Sequence, residues 1–273
     1  MLEAVVNVAE GSRAGVVRSL AESAGPSLLD VHSDAWHNRS VLTIAGADLE
    51  SSVRALATAV VTNLDIRVHE GAHPRLGVLD VVPFVPIRDP CHPDVSGELT
   101  EALAARDSFA AWAGEVLGLP CFLYGPDRSL PEIRRGAFAT VVPDTGPRRP
   151  HPTAGATCVG ARGPLVAYNL WLDGCDVTVA RAVARSIRSP EVRALGLALG
   201  EHAQVSCNLV APERVGPGAV YDAVAALAPV SRAELVGLLP RQVLDAEPRS
   251  RWRQLDLGAH KTIEHRLSAR VPP

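Results

Sequence analysis

The distribution of apolar and polar positions divides the chain into a repeated order of elements. Leu2–Val8 is rich in β-branched residues and reads as a strand. A helix over 12–24 follows, then a strand over 27–31. Across 38–46, Val41, Thr43 and Ala45 alternate with Leu42 and Ile44, so both faces of that strand are covered. Asp48 is placed to cap the next helix, whose Val53, Leu56, Ala57, Val60, Val61 and Leu64 recur at spacings of three and four. A strand over 78–85 is ended by Pro83 and Pro86. The order is strand, helix, strand, strand, helix, strand.

The second half repeats it. A strand over 162–172 precedes a helix capped by Asp176, with Val179, Ala180, Val183, Ala184 and Ile187 on one face. Strands over 191–199 and 202–210 hinge at Gly200, and a helix over 218–227 leads to a strand over 230–239. No residue-level similarity links the halves, so only the pattern repeats. Each βαββαβ unit predicts an α+β, ferredoxin-like layer: an antiparallel or mixed sheet with its helices on one face. The expected division is 1–150 and 151–273. An extra helix over 99–117 and an extra strand at Cys121–Tyr124 lie between the repeats.

Composition narrows the classes. The 273 residues suffice for two small cores, and 47% hydrophobic with 21% charged residues is ordinary for a globular chain. Aromatics are only 4%, so Val, Leu and Ala must build the core. A net charge of -3 argues against a nucleic-acid partner. No apolar run is long enough for a membrane span, and the first residues lack the basic-then-apolar pattern of a secretory signal. A cytoplasmic location is therefore expected. Cys91, Cys121, Cys158, Cys175 and Cys207 are odd in number and form no CxxC pair, which points to free thiols.

Two stretches carry candidate chemistry. His69-Glu70-Gly71-Ala72-His73 matches HExxH, but Gly71 and Pro74 oppose the helix that a zinc site of that type needs. Leu76 and Leu79 also stand where the extended zinc motif requires Gly and His. No metal is expected. Read as a loop, His73-Pro74-Arg75-Leu76-Gly77-Val78-Leu79-Asp80 sets an imidazole and a guanidinium at the mouth of a strand, with Asp80 near in sequence to both. Histidine, with an unperturbed pKa near ~6.5, is suited to shuttle protons at neutral pH. The stretch from Pro143 to Gly155 holds four prolines and excludes regular structure; composition alone leaves open whether it is a linker or a stiff binding loop. Over 202–210, Gln204, Ser206 and Asn208 alternate with Ala203, Val205, Cys207 and Leu209, offering polar groups on one face.

Taken together, Asn7-Val8-Ala9-Glu10-Gly11, Asn38-Arg39-Ser40-Val41 and the block from His73 to Asp80 resemble the formiminotransferase family in order and spacing. So do Leu123-Tyr124-Gly125, Asp144-Thr145-Gly146-Pro147, Gly155-Ala156-Thr157, Gly160-Ala161-Arg162 and Gln204-Val205-Ser206-Cys207-Asn208-Leu209. The block beginning at His73 is the most specific, and the set spans almost the whole chain.

The resemblance implies a two-subdomain transferase that binds tetrahydrofolate as co-substrate between its subdomains and moves a formimino group between N-formimino-L-glutamate and that folate. It implies His73 as general acid–base and makes Gly146, Pro147, Arg148, Arg149, Pro150, His151, Pro152, Thr153, Ala154 and Gly155 the folate loop. It also implies a homodimer. In animals the family is fused to a cyclodeaminase domain; this chain ends near Arg270 with no such extension, so a standalone transferase is expected.

Within that expectation, Asp80, His32 or Asp34 orients the imidazole. Arg39, Arg75 and Arg162 are candidates for the substrate carboxylates, because guanidinium pairs with carboxylate as a fork. Gln204, Ser206 and Asn208 are candidates for the pterin edge. His32 stands where the family often has Asp, and the loop is more basic at Arg148 and Arg149. These departures motivate a relative with another donor, such as 5-formyltetrahydrofolate. A folate-binding protein without turnover and a zinc hydrolase are the remaining readings.

Overall fold

The computed structural model describes residues 1–72, 74–88 and 97–269. His73 and Cys91 lie outside the described residues. The chain divides into two compact units, 1–163 and 164–273.

The first unit contains β1 (Leu2–Val8), α1 (Ala14–Ser23), β2 (Leu28–Asp34), β3 (Arg39–Ala45), α2 (Leu49–Asn63) and β4 (Leu79–Pro86), in the predicted order. After these come α3 (Leu99–Val116), β5 (Cys121–Tyr124), α4 (Leu130–Gly136) and β6 (Thr157–Ala161). The sheet order is β2-β3-β1-β4-β6-β5. Its first four strands are antiparallel in the ferredoxin-like arrangement, while β6 runs parallel to both β4 and β5. Ala4, Val6 and Val8 of β1 pack with Leu42 and Ile44 of β3 under Leu20 of α1 and Val53, Leu56, Ala57 and Val60 of α2. Phe109, Ala110 and Ala113 of α3 extend that layer. A smaller cluster joins Val81, Phe122 and Cys158 to Ile133 of α4.

The second unit repeats the layer. It contains β7 (Val166–Leu172), α5 (Val177–Ser186), β8 (Val192–Leu199), β9 (His202–Leu209), α6 (Pro217–Ala225) and β10 (Val230–Val236). All pairs are antiparallel in the order β10-β7-β9-β8. Two short helices, α7 (Arg241–Asp245) and α8 (Ile263–Ser268), complete the unit. The Tyr168 hydroxyl donates to the Leu255 carbonyl at 2.9 Å, tying β7 to the C-terminal segment. The α+β fold of two ferredoxin-like units is therefore as expected.

Several local expectations are corrected. Asp48 occupies the position before α2 but makes no side-chain cap, because its backbone (φ -96°, ψ 23°) departs from the extended geometry a cap uses. Asp176 does cap α5, accepting from the Thr178 and Val179 amides at 2.8 and 3.0 Å. The strand expected over 162–172 starts later, at Val166, and opens the second sheet, while Thr157–Ala161, not expected as a strand, joins the first. The boundary accordingly falls at 163/164 instead of 150, since β6 is held between β4 and β5. Pro83 lies inside β4 opposite Gly160 of β6, so only Pro86 ends that strand. Val179, assigned to the apolar face of α5, is exposed; Ala180, Val183 and Ala184 form the buried stripe.

Among the described residues, no helix is long and apolar enough to cross a membrane, and no group of three His, Cys, Asp or Glu side chains is placed to hold a metal ion. Residues 66–68 form a 3-10 turn and 69–72 are irregular, so this part of the HExxH match is not helical. Cys121, Cys158, Cys175 and Cys207 are free thiols.

Candidate active site

Asn38 joins two of the sequence blocks, 7–11 and 38–41, to the 69–71 segment within the first unit. It sits in the β2–β3 turn with φ 46°, a left-handed conformation that Asn tolerates better than most residues. Its Oδ1 accepts from the Gly11 and Ser12 amides at 2.9 and 3.2 Å, and its Nδ2 donates to the Glu70 carbonyl at 2.7 Å. The end of β1, the β2–β3 turn and the 69–71 segment are thereby held as one. Gly11 packs against this turn so closely that a Cβ would fall 2.4 Å from the Asp34 carbonyl oxygen. The buried Glu10 carboxylate accepts from the Ser12 and Arg13 amides and from the Arg13 guanidinium, which anchors the chain as it leaves β1.

Beside this junction, Val8, Ala9, His37, Asn38, Arg39, Arg75 and Asp80 line a small concavity of about 10 Å³. Asp80, buried at the start of β4, accepts from the Leu76 amide at 2.9 Å and from an Arg134 Nη at 2.6 Å. The second Arg134 nitrogen donates to the Pro74 carbonyl at 2.5 Å. The Arg75 guanidinium donates to the Gly71 carbonyl, and that of Arg39 donates to Asn7 Oδ1. Burial holds the Arg39 guanidinium down to about 10, opposed by the Asp80 charge and reinforced by those of Arg134 and Arg75. Burial also lowers Arg75, again opposed by Asp80 and reinforced by Arg134. One carboxylate thus sits among three cations.

The proposed folate loop is rooted in the same region. The Val78 amide donates to the Ala154 carbonyl at 2.9 Å, and the Ala156 amide donates to the Leu76 carbonyl at 3.1 Å. The Ile66 amide meets the Thr153 carbonyl at 2.7 Å. Gly155 adopts φ 74°, and His151 and Gly155 exchange backbone hydrogen bonds of 2.7 and 3.0 Å. His151 Nδ1 accepts from the Ala154 amide at 3.0 Å, so this imidazole shapes the loop. At the other root, Gly146 adopts φ 77° against Leu119 and Gly114. Asp144 accepts from the Leu123 amide at 2.7 Å and pairs with Arg128. Pro147, Arg148, Arg149, Pro150 and Pro152 are exposed; Ala154 is buried.

The expected groupings are partly redrawn. His73 lies outside the described residues, but the carbonyl of its neighbour Pro74 is the one Arg134 holds. Asp34 accepts from the Trp36 and His37 amides at 2.7 and 2.9 Å and stands 3.6 Å from His37 Nδ1, so its contacts are those of a hairpin turn. His32 is half-buried in the edge strand β2, opposite Val41. Arg39 and Arg75 meet around Asp80, whereas Arg162 stands beside Tyr124 at the end of β6. In the second unit, Ala203, Val205, Cys207 and Leu209 enter the core with α5, leaving Gln204, Ser206 and Asn208 on the opposite face of β9. Gln204 is fully buried, and neither amide atom has a hydrogen-bond partner among the described residues; Ser206 is half-buried and Asn208 exposed. Trp171 lies opposite Gln204, its indole N–H donating to Glu234 at 2.9 Å and its ring under the Arg232 guanidinium at 4.2 Å.

Sequence reasoning missed Arg134. The available signal was the Ser129-x-x-Glu132 capping box, which the structure confirms and which announces α4 as a rigid base for that side chain.

Residues 1–162 match the model of the formiminotransferase domain, N-terminal subdomain. The chain is 33% identical over 296 aligned residues to a glutamate formimidoyltransferase of Streptococcus pyogenes serotype M1, an alignment covering 96% of this chain and 97% of that protein. A glutamate formimidoyltransferase of Thermoplasma acidophilum is 32% identical, with 89% of each chain covered. A formimidoyltransferase-cyclodeaminase of Gallus gallus is 34% identical over 90% of this chain, which spans 51% of that protein. With a matching domain model over more than half its length and relatives of this similarity, the chain belongs to the formiminotransferase family.

Proposed function

We propose that the chain is a folate-dependent transferase that moves a formimino group between N-formimino-L-glutamate and tetrahydrofolate, with His73 as general acid–base. Kinship over nearly the full length of a glutamate formimidoyltransferase supports the reaction. The observation that carries the site is the hydrogen-bonded seam between Leu76, Gly77 and Val78 and Ala154, Gly155 and Ala156. It fixes the backbone following His73 against the root of the proposed folate loop.

The chemistry needs few groups. A protonated formimino carbon is an electrophile, and nitrogen-5 of the reduced pterin adds to it to give a tetrahedral intermediate. The attacking nitrogen must lose a proton and the departing glutamate nitrogen must gain one. A single imidazole serves both transfers in turn. Arg39 and Arg75, gathered around Asp80, offer guanidinium forks for the glutamate carboxylates. The exposed Arg148 and Arg149 face solvent where an anionic folate tail can be met.

Purified protein incubated with formiminoglutamate and tetrahydrofolate should yield 5,10-methenyltetrahydrofolate absorbance after acidification. Folate-induced stabilisation without product would replace the transferase by a binding protein. Formation of N-formylglutamate from glutamate and 5-formyltetrahydrofolate, with no transfer from formiminoglutamate, would change the donor.

A further inference from the structure

We propose that Arg134 is a positioning residue for this reaction, clamping the backbone of the 74–76 turn; its reaction role rests on the transferase reading above. Proline has no backbone N–H, so the Pro74 carbonyl is the only main-chain group of that residue through which a hydrogen bond can hold it. Arg134 takes that carbonyl at 2.5 Å with one terminal nitrogen and Asp80 at 2.6 Å with the other. The other Asp80 oxygen accepts from the Leu76 amide at 2.9 Å. A single planar guanidinium therefore fixes one side of the turn directly and the other through a buried carboxylate.

The base of the clamp is firm. Ser129 and Glu132 cap α4 reciprocally, and the fully buried Ile133 packs in the cluster of Val81, Phe122 and Cys158. Arg134 lies 54 residues along the chain from Asp80 and 60 from Pro74, so the contact depends on the tertiary fold. His73 is one peptide bond from the clamped Pro74, and Arg75 lies between the two held positions. Releasing the guanidinium frees the backbone on which the acid–base and a carboxylate-binding candidate are mounted. A displacement of about 1 Å at such a mount costs about 100-fold in rate. Lysine cannot replace the fork, because its ammonium is a point charge without paired, fixed donors.

The test compares Arg134→Met, Arg134→Lys and Tyr168→Phe with the wild type by steady-state kinetics, thermal melting and amide hydrogen exchange. Arg134→Met and Arg134→Lys should each lose about 100-fold in kcat, with KM for tetrahydrofolate changed far less, and should exchange the Leu76 amide faster. Tyr168→Phe, which removes the hydroxyl bond to the Leu255 carbonyl in the second unit, should melt earlier yet keep kcat, which separates lower stability from a missing fork. If Arg134→Met does not fold, Arg134→Lys, which retains the charge, carries the comparison. Wild-type kcat in a folded Arg134 variant overturns the positioning role, and unchanged Leu76 protection overturns the clamp. A wild type with no transfer activity removes the transferase reading; the exchange arm then decides the clamp alone.

Discussion

Gly77 and Gly155 lie back to back. A Cβ built on Gly77 would fall 2.3 Å from both the Ala154 and Ala156 carbonyl oxygens, and one on Gly155 would fall 2.9 Å from Gly77 Cα. Gly155 also adopts φ 74°. The close approach permits the hydrogen bonds that join the segment entering β4 to the root of the 146–155 loop. Gly77→Ala should therefore force the strands apart and cost about 1–3 kcal/mol of stability. It should also weaken tetrahydrofolate binding. Urea denaturation and ligand titration measure the two; wild-type values for both would show that the seam tolerates a methyl group.

The buried Asp80 answers for more than one cation. Arg39 is held down to about 10 first by burial and then by Arg134 and Arg75, with Asp80 alone opposing the shift. Because burial holds this group below its ordinary 12.5, keeping Arg39 charged costs the native state stability at neutral pH. Asp80→Asn keeps the shape but removes the opposing charge from among three guanidinium groups. A loss of about 3 kcal/mol is expected, as for other broken buried pairs. Denaturant unfolding at pH 7 checks it, and a loss below about 1 kcal/mol, the scale of a surface pair, would mean that solvent already screens the cluster.

The fold was legible because its periodicities are clean. Residues 38–46 and 202–210 alternate at period two, and Ala57, Val60 and Leu64 recur at helical spacing, so both βαββαβ units could be read directly. The break before β7 was not legible. Thr157–Ala161 is small and apolar and suits either sheet; its parallel placement between β4 and β5 depends on partners distant in sequence. The site was read as blocks, and the side chains that connect the described blocks were not legible. Asn38 was visible only as part of a motif, and nothing in local sequence ties Arg134 to Asp80. Such ties are tertiary, so pattern and propensity do not encode them.

His73→Ala should lower turnover by roughly 100-fold or more while leaving tetrahydrofolate affinity within a few-fold, since the proposed role is proton transfer. Single-turnover kinetics alongside equilibrium binding separate the two effects. A variant with near-normal turnover would place the acid–base elsewhere.

Burial pushes the thiols of Cys121, Cys158 and Cys207 up to about 12. Thiolate is the reactive form, and it becomes appreciable only as pH approaches that value, so all three should resist alkylation at pH 8. With Cys91 and Cys175 replaced by serine, native protein should show no fast thiol towards a disulfide reagent, and three should appear on unfolding in guanidinium. A fast native reaction would mean that the β5–β6 or β9 region opens readily.

Asp144 tests whether the 146–155 loop is held at its root or along its length. Its carboxylate accepts from the Leu123 amide at 2.7 Å and pairs with Arg128, whose guanidinium also donates to the Leu123 carbonyl at 2.8 Å. Asp144→Ala removes both bonds at that root but leaves the His151–Gly155 pair and the Gly77 seam in place. The loop should then open locally while the rest of the domain stays folded. Trypsin reports this directly: Arg148 is exposed and followed by Arg149, whereas Pro150 blocks cleavage after Arg149. Nicking at Arg148 should quicken several-fold in Asp144→Ala, with a small change in melting temperature, and tetrahydrofolate should slow it in both proteins if the loop binds folate. Equal nicking rates would shift the hold to the prolines themselves, and nicking unaffected by folate would remove this loop from the binding site.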